Sequence, residues 1–242
     1  MTSSETHREE PMIAAIFDLD GTLYTGHMVK GIAQHHRRHR VKRLPLYTYL
    51  ISHMALWPFW RLGLLSEVVA RELWARHVGW TVRGWTPQEA ARAFQWIVEH
   101  YVLPQLRSDV LARLREHQAA SHRVILVSGT LEPLLALIGQ GIGVHETVGT
   151  PLVVRRGRYT GAVQLPVCQG VGKAVRLEAY SRSTATIPWG ESYAYADSHT
   201  DLPLFERVGR PVAVYPDPSL AAHARACRWE VLGVEIDPAT RM

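Results

Sequence analysis

Cysteine is scarce in this sequence, with only Cys168 and Cys227 in 242 residues. Two cysteines are too few for a disulfide framework, and this fits a reducing compartment. A secretory leader is also lacking, because Met1–Glu10 is polar and acidic where such a leader would have a basic start and an apolar stretch. We expect the residues through Pro11 to form a disordered leader. These absences predict a protein that stays in the cytoplasm.

Internal repeats and low-complexity stretches are absent as well. With 47% hydrophobic and 20% charged residues, the chain can bury a core and carry an inserted unit. The formal net charge of +5 is uneven: Val29–Arg107 holds 12 Lys and Arg against 4 Asp and Glu, and the remainder holds 15 against 18. This predicts two bodies, of which the basic one would favour anionic surfaces or anionic substrates. Nucleic acid is not expected as a partner, since no binding motif for it is present.

The basic segment begins with two contrasting runs. Lys30–Arg43 carries six Lys or Arg and three His, and Leu44–Trp60 follows without a single Lys, Arg, Asp or Glu. Two prolines and a histidine interrupt the second run, which argues against a membrane span of about twenty apolar residues. Two interpretations stay open. The aromatic side chains either fill a helical core or a dimer contact, or residues 30–60 touch an anionic membrane peripherally.

Helix signals dominate the inserted segment, whereas helices and strands alternate after it. Thr86-Pro87-Gln88-Glu89 is a capping box with proline at the first helical position, and Ser66 is the expected N-cap of the helix before it. From Ser108 the alternation predicts a parallel sheet covered on both faces, with a hairpin at Arg155–Arg158. The expected fold is therefore α/β. Residues 1–28 and 105–242 would form a three-layer Rossmann-like core, and residues 29–104 an α-helical cap inserted into it.

Two aspartates stand at the end of the first strand. The apolar run Ile13–Phe17 leads into Asp18 and Asp20, and Gly21 and Thr22 follow at once. In an extended strand residues two apart point the same way, so the two carboxylates lie side by side. Like charges this close require a cation or a proton to relieve them. An ordinary Asp- and Gly-containing turn is the alternative, unless other parts of the chain supply partners.

A second strand and a later helix supply groups that bind anions. Val124–Val127 leads into Ser128, and the amides of Gly129 and Thr130 would form an anion cradle at the expected strand-to-helix junction. Lys173 would add a positive charge to the same anion. Because ligands bind at the carboxyl ends of strands in such sheets, these groups are expected at one edge with the aspartates.

A third strand supplies a further carboxylate. Tyr193–Ala196 leads into Asp197, and the oxygen ligands of Asp18 and Asp197 suit Mg²⁺. No His or Cys cluster has the spacing of a zinc site. The histidines of the basic run are interpreted as solvated or anion-facing: His35, His36 and His39.

These stretches resemble, in order and spacing, the four motifs of the haloacid dehalogenase superfamily of phosphohydrolases. The insert after the first motif is similar in length to the helical cap of the phosphoserine-phosphatase-like branch, subfamily IB. The residue sequence of Asp197–Pro203 also resembles that of this branch. The motifs are short, but together they span most of the chain. The resemblance is carried by Asp18-x-Asp20-Gly21-Thr22, Ser128, Gly172-Lys173 and Asp197-Ser198-x-x-Asp201.

The resemblance implies a role for each matching residue. Asp18 would be the nucleophile that forms an aspartyl-phosphate. Asp20 would protonate the leaving oxygen and later deprotonate water, and its main-chain carbonyl would bind Mg²⁺ together with the carboxylates of Asp18 and Asp197. Asp201 would orient a metal-bound water or Lys173. The phosphoryl group would be held by a set of small and basic residues: Thr22, Ser128, Gly129 and Lys173.

Two departures from the family pattern bear on the substrate. Phosphoserine phosphatases have a glutamate nine residues beyond the nucleophile, which helps to bind an amino group, and this sequence has His27 there. His27 is therefore a candidate specificity residue. Ala196 stands for the usual glycine before Asp197, a mild change.

The leading hypothesis is a Mg²⁺-dependent phosphomonoesterase that acts on a lipid phosphate or another hydrophobic phosphomonoester, since related cap-bearing proteins of this branch are associated with lysophospholipid metabolism. A small-metabolite phosphatase acting on phosphoserine or an amino-alcohol phosphate is the second hypothesis. A membrane-surface or partner-binding module with an inactive hydrolase core is the third.

Overall fold

The computed structural model describes residues 12–64 and 66–233, and the expected leader lies outside them. The strands are β1 (Ala14–Phe17), β2 (Arg123–Leu131), β3 (Glu146–Thr150), β4 (Leu152–Arg155), β5 (Arg158–Val163), β6 (Tyr193–Ala196), β7 (Arg210–Val214) and β8 (Glu230–Leu232). The helices are α1 (Met28–Arg38), α2 (Arg43–Met54), α3 (Trp57–Arg61), α4 (Glu67–His77), α5 (Pro87–Ile97), α6 (Ser108–Ala119), α7 (Glu132–Gly141), α8 (Val171–Ser183), α9 (Leu202–Phe205) and α10 (Pro218–Cys227). Short 3₁₀ or π turns cover Val78–Val82, Val98–Val102, Leu103–Gln105, Trp189–Glu191 and His199–Asp201.

A six-stranded sheet forms the centre of the described structure, in the order β3-β2-β1-β6-β7-β8. Every neighbouring pair is parallel, and Ile16 in β1 lies opposite Ile125 on one side and Ala194 on the other. All four residues of β1 are buried, as expected for a parallel sheet with both faces covered. The predicted α/β fold with a Rossmann-like parallel sheet is confirmed.

The two faces of the sheet pack against different helices. Alternate residues of β1 point to opposite faces, so Phe17 joins one apolar cluster and Ile16 the other. The Phe17 cluster includes residues of α6 and α7, and the Ile16 cluster includes residues of α8, α9 and α10. The three layers of the core are therefore helix, sheet and helix.

The helices between β1 and α6 form the inserted segment. Thr86 caps α5 with the predicted box, accepting from the amide of Glu89 while the Glu89 carboxylate accepts from the amide of Thr86. Ser66 caps α4 as expected. Ile32 of α1 and Phe94 of α5 belong to the same apolar cluster as Phe17, so the cap and one face of the sheet share a core. The division into a core and a cap of residues 29–104 stays a prediction.

No helix within residues 12–64 or 66–233 is both long and apolar enough to cross a membrane.

The histidines of the basic run correct one prediction. His35 and His36 are 7% and 1% exposed, because they lie on the inward face of α1, and only His39 is exposed as expected. A ring nitrogen of His36, Nε2, lies 2.8 Å from the carbonyl oxygen of Thr81. The interpretation of His35 and His36 as solvated or anion-facing was therefore wrong: both are buried, and His36 connects α1 to the segment at Thr81.

The predicted hairpin is present as β4 and β5, which pair antiparallel. Pro151 separates β4 from β3, and β3 pairs in the main sheet whereas β4 pairs only with β5. The hairpin is fixed to the cap, since the amide of Gly84 donates to the carbonyl of Tyr159 over 2.7 Å and the amide of Tyr159 donates to the carbonyl of Trp85 over 2.8 Å.

Candidate active site

The candidate site lies where β1 and β6 end, around the buried ammonium of Lys173. Lys173 is 3% exposed, and its Nζ lies 2.9 Å from Oδ1 of Asp18 and 2.7 Å from Oδ1 of Asp201. Burial alone would lower the pKa of Lys173, but the charges of Asp18 and Asp201 outweigh it and raise that pKa above its ordinary value. The lysine is therefore a permanent cation in contact with the first carboxylate of the motif.

Asp18 and Asp197 are joined through Thr22. The side chain of Thr22 is fully buried, and its Oγ1 lies 3.4 Å from Oδ2 of Asp18 and 3.1 Å from Oδ1 of Asp197. The amide of Asp18 donates to the carbonyl of Tyr195 over 2.9 Å, which fixes the end of β1 beside the end of β6. The adjacent strands thus bring together two aspartates that are far apart in the sequence.

Oxygen atoms of three carboxylates come together at this edge. Asp18, Asp197 and Asp201 each offer an oxygen, and these oxygens lie within 4.8 Å of one another. Burial, followed by the charges of Asp18 and Asp201, raises the pKa of Asp197 to about 8. Lys173 is the cation paired with Asp18 and Asp201, so three hard oxygen donors share one positive charge, and such a cluster fits Mg²⁺ as a second cation.

Gly21 makes room for this cluster. Its φ is +78°, and a Cβ built there would lie 2.2 Å from Oδ2 of Asp197. Any side chain at this position would both strain the backbone and displace the carboxylate. The glycine of the motif therefore serves the geometry of Asp197 as well as the turn.

Asp20 is held by two hydrogen bonds to the same oxygen. The hydroxyl of Tyr24 donates to Oδ1 of Asp20 over 2.5 Å, and the amide of Met28 donates to it over 3.1 Å. Desolvation by burial raises the pKa of Asp20 to about 6, and the two hydrogen bonds and the charge of Lys173 oppose that rise. A carboxyl group with such a pKa can exchange a proton near neutral pH.

Sequence analysis missed Tyr24. The side chain is fully buried beside the motif, and its own pKa is raised well above the ordinary value by burial and then by Asp20. A tyrosine four residues after Asp20 is the only sequence signal, and it becomes meaningful once the turn at Gly21 folds the chain back.

Ser128 is buried at the same sheet edge, but its surroundings differ from the predicted cradle. Strand β2 continues through Leu131, so α7 begins only at Glu132. The amide of Thr130 donates to Oγ of Ser128 over 3.1 Å. Regular pairing of β2 is interrupted after Val127, as expected, but Leu131 pairs again before the helix begins at Glu132, and the Thr130 amide already has a partner.

His27 immediately precedes α1, the first helix of the inserted segment. Its side chain is exposed, and the residue is the N-cap of α1, with φ at −128°. Its amide donates to the hydroxyl of Tyr101 over 3.4 Å. His27 is thus next to Met28, whose amide binds Asp20, and its role in specificity stays a prediction.

The site combines a buried lysine with three carboxylates at the carboxyl edge of a parallel sheet. Such a site can bind an anion and a cation side by side. The model of the haloacid dehalogenase-like hydrolase family matches residues 15–206. The chain belongs to this family.

Several known proteins are similar to this chain. The chain is 30% identical over 149 residues to a probable phosphatase of Mycobacterium tuberculosis, covering 62% of this chain and 51% of that protein. It is 25% identical over 224 residues to the phosphoserine phosphatase SerB1 of the same organism, covering 90% of this chain and 70% of that protein. A crystal structure from Bordetella pertussis, of unknown function, is 28% identical with a TM-score of 0.80, covering 93% of this chain and 99% of that one. The chain spans about half the length of the first of these relatives.

Proposed function

We propose that the protein is a Mg²⁺-dependent phosphomonoesterase that forms an aspartyl-phosphate on Asp18. The contact between Lys173 and Asp18 carries the proposal, because it places a buried cation beside the candidate nucleophile. Phosphoryl transfer depends on positioning and on neutralising charge at the phosphoryl oxygens. The family and the names of the relatives support the same chemistry.

In the first step a carboxylate oxygen of Asp18 attacks phosphorus, and the bond from phosphorus to the leaving oxygen breaks. Asp20 gives its proton to that oxygen, so the product leaves as a neutral alcohol. Both hydrogen bonds to Asp20 fall on Oδ1, so the exchanged proton belongs on Oδ2. A pKa of about 6 leaves a fraction of Asp20 protonated in the free enzyme at neutral pH.

In the second step water attacks phosphorus of the aspartyl-phosphate. Asp20, now a carboxylate, takes a proton from the water, and the bond between phosphorus and Asp18 breaks. Inorganic phosphate leaves, Asp18 is a carboxylate again, and Asp20 holds its proton. The sum is hydrolysis of one phosphomonoester to one alcohol and one phosphate.

The carboxylates of Asp18 and Asp197 and the main-chain carbonyl of Asp20 would hold Mg²⁺. The ion would supply positive charge to the phosphoryl oxygens. Asp201 stands beside these groups and pairs with Lys173 over 2.7 Å. We assign to Asp201 the task of orienting the lysine toward the phosphoryl group, which Lys173, Thr22, Ser128 and Gly129 would bind.

For the substrate we favour a lipid phosphate or another hydrophobic phosphomonoester. His27 stands at the position where phosphoserine phosphatases carry a glutamate, so an ammonium group on the substrate would lack that partner. A second candidate, a small-metabolite phosphatase acting on phosphoserine or an amino-alcohol phosphate, is supported by the 25% identity to a phosphoserine phosphatase over 90% of this chain.

Phosphate release from a panel of esters tests both parts of the proposal. The full chain with Mg²⁺ is assayed on an aryl phosphate, lysophosphatidate and phosphoserine, beside Asp18→Asn and the control Asp109→Asn, whose side chain binds Tyr215 outside the site. We expect kcat/KM for lysophosphatidate to exceed that for phosphoserine at least about tenfold, and Asp18→Asn to lose about 10³-fold on every ester.

The outcomes separate the two parts. Turnover retained by Asp18→Asn would overturn the nucleophile. A preference for phosphoserine would overturn the hydrophobic substrate and leave the chemistry intact. No release from any ester would overturn the phosphomonoesterase itself.

A further inference from the structure

The outward side of α2 is apolar. Leu44, Tyr47, Ile51 and Met54 are 79%, 46%, 65% and 69% exposed, at spacings of three and four residues. They therefore form one stripe along the helix. The inward side of α2 is apolar too, with Leu46 and Tyr49 buried. The helix therefore has two apolar faces, of which one is buried and the other is exposed.

Helix α3 follows α2 closely in the chain and also exposes aromatic side chains. Trp57 and Phe59 are about half exposed, at 51% and 53%. Together with the stripe on α2 they form what we call the α2–α3 face: Leu44, Tyr47, Ile51, Met54, Trp57 and Phe59. Contiguous exposed apolar surfaces of this kind mark contact sites for proteins or membranes.

A basic rim borders this face. Lys30, Arg37, Arg38 and Arg43 line a cavity of about 870 Å³, and Tyr47 of the α2–α3 face lines the same cavity. Lys30 and Arg37 are seven residues apart on α1, so they lie on one side of it, opposite the buried residues of that helix. The apolar face and the basic rim are thus one continuous surface.

The segment that supplies this surface has no acidic residue. Residues 21–66 contain seven Lys and Arg and no Asp or Glu. A basic surface that also presents Trp, Tyr and Phe matches the interface of a membrane with anionic headgroups. A second copy of this chain fits less well, because a two-fold contact through the α2–α3 face would bring two basic rims together.

We infer that the α2–α3 face and its basic rim dock the protein on a bilayer that contains anionic phospholipids. The apolar side chains enter the headgroup region, and the rim binds the lipid phosphates. Helix α1 connects this surface to the candidate site, since its first amide binds Asp20 and its last turn carries Arg37 and Arg38. Met28 and Arg38 are the first and last residues of this helix, so they lie about 15 Å apart along it. Docking would hold the candidate site at a fixed height above the membrane surface.

Vesicle sedimentation tests the inference without any turnover. The full chain is mixed with vesicles of phosphatidylcholine alone or of phosphatidylcholine with phosphatidylserine. We expect binding to the anionic vesicles at low salt and at least about tenfold weaker binding to the neutral ones. Asp18→Asn should bind as the unchanged protein does, so a failure of the proposed catalysis would not affect this result.

Three double variants separate charge from apolar contact. Arg37→Gln with Arg38→Gln should weaken binding about 20-fold. The matched control is Arg182→Gln with Arg225→Gln, which removes the same charge at exposed positions on α8 and α10 and should change binding less than about twofold. Ile51→Ser with Met54→Ser should also weaken binding at least about tenfold, because two exposed apolar side chains leave the face.

Four results would overturn the inference. They are no binding to anionic vesicles at low salt, equal binding to both vesicle types, and equal losses for the rim variant and its control. The fourth is a dimer in sedimentation velocity that Ile51→Ser with Met54→Ser dissociates, since this would assign the α2–α3 face to a second copy of the chain.

Discussion

The hydroxyl of Tyr24 donates to Oδ1 of Asp20 over 2.5 Å, and the tyrosine side chain is fully buried. This bond is one of the influences that lower the pKa of Asp20 against the effect of burial. We therefore expect Tyr24 to act as a positioning residue, which helps to orient the candidate general acid and lowers its proton affinity.

Tyr24→Phe should move the pH profile. Without the hydroxyl, the pKa of Asp20 rises above its present value of about 6, so Asp20 stays protonated to higher pH. The alkaline limb of kcat/KM, where the general acid loses its proton, should shift upward by about one pH unit, and kcat should fall about tenfold. Tyr49→Phe removes a tyrosine hydroxyl bound to Trp74 in the cap and should leave the profile in place. Identical pH profiles for the two variants would show that Tyr24 does not influence the titration of Asp20.

Gly21→Ala should damage the metal site selectively. The new Cβ would lie 2.2 Å from Oδ2 of Asp197, whereas a Cβ at Gly157, with a similar φ of +71°, would meet nothing within 4 Å. Both changes strain the backbone by about 1 kcal/mol, but only the first displaces a carboxylate. We expect the Mg²⁺ concentration for half-maximal activity to rise at least about tenfold for Gly21→Ala and to stay unchanged for Gly157→Ala. Equal values would show that Asp197 does not bind the activating ion.

Lys173→Met should reduce stability and activity together. It leaves the buried carboxylates of Asp18 and Asp201 without their cation, which lowers the free energy of unfolding by about 3 kcal/mol in the absence of metal. Mg²⁺ should restore part of this stability but not the activity, which falls at least about 100-fold. Lys42→Met, which loses a bond to the carbonyl of Arg83, should lower stability by about 1 kcal/mol or less. Full activity of Lys173→Met would contradict the assignment.

His117 should make the fold sensitive to acid. Burial, followed by the charges of His122 and Arg113, lowers the pKa of His117 from 6.5 to about 4. The unfolded chain then binds a proton more readily, so the contribution of neutral His117 is complete above pH 6.5 and is lost as the pH falls toward 4. The free energy of unfolding should drop by about 2 kcal/mol over this range. Denaturant titrations should show a flatter pH dependence for His117→Gln, and no such change for His145→Gln at an exposed position.

The sheet and the placing of the site could be predicted because both follow from short-range patterns. Buried β-branched and alanine-rich runs form parallel strands, and such strands end at a common edge, so Asp18 and Asp197 could be placed together with Lys173. The distances within the cluster could not be predicted, since they depend on the turn at Gly21 and on the register of β1 with β6.

Other features depend on tertiary contacts that no local pattern reveals. His35 and His36 belong to a strongly basic run, and only their phase on α1 and the carbonyl of Thr81 make them interior residues. Thr130 was expected beside a helix start, but after an irregular stretch Leu131 pairs with Thr150, and the helix begins only at Glu132. Tyr24 has no signature of its own apart from its spacing from Asp20.

Reductive trapping of the phosphorylated enzyme tests the central claim most directly. The full chain is mixed with Mg²⁺ and an aryl phosphate, quenched during turnover and treated with borohydride, which reduces an acyl phosphate of aspartate to homoserine. Peptide mass spectrometry then reads position 18. We expect homoserine at position 18 only when both substrate and Mg²⁺ are present, with Asp20 unchanged. Phosphate release without homoserine at position 18, or homoserine at Asp20 instead, would contradict this expectation.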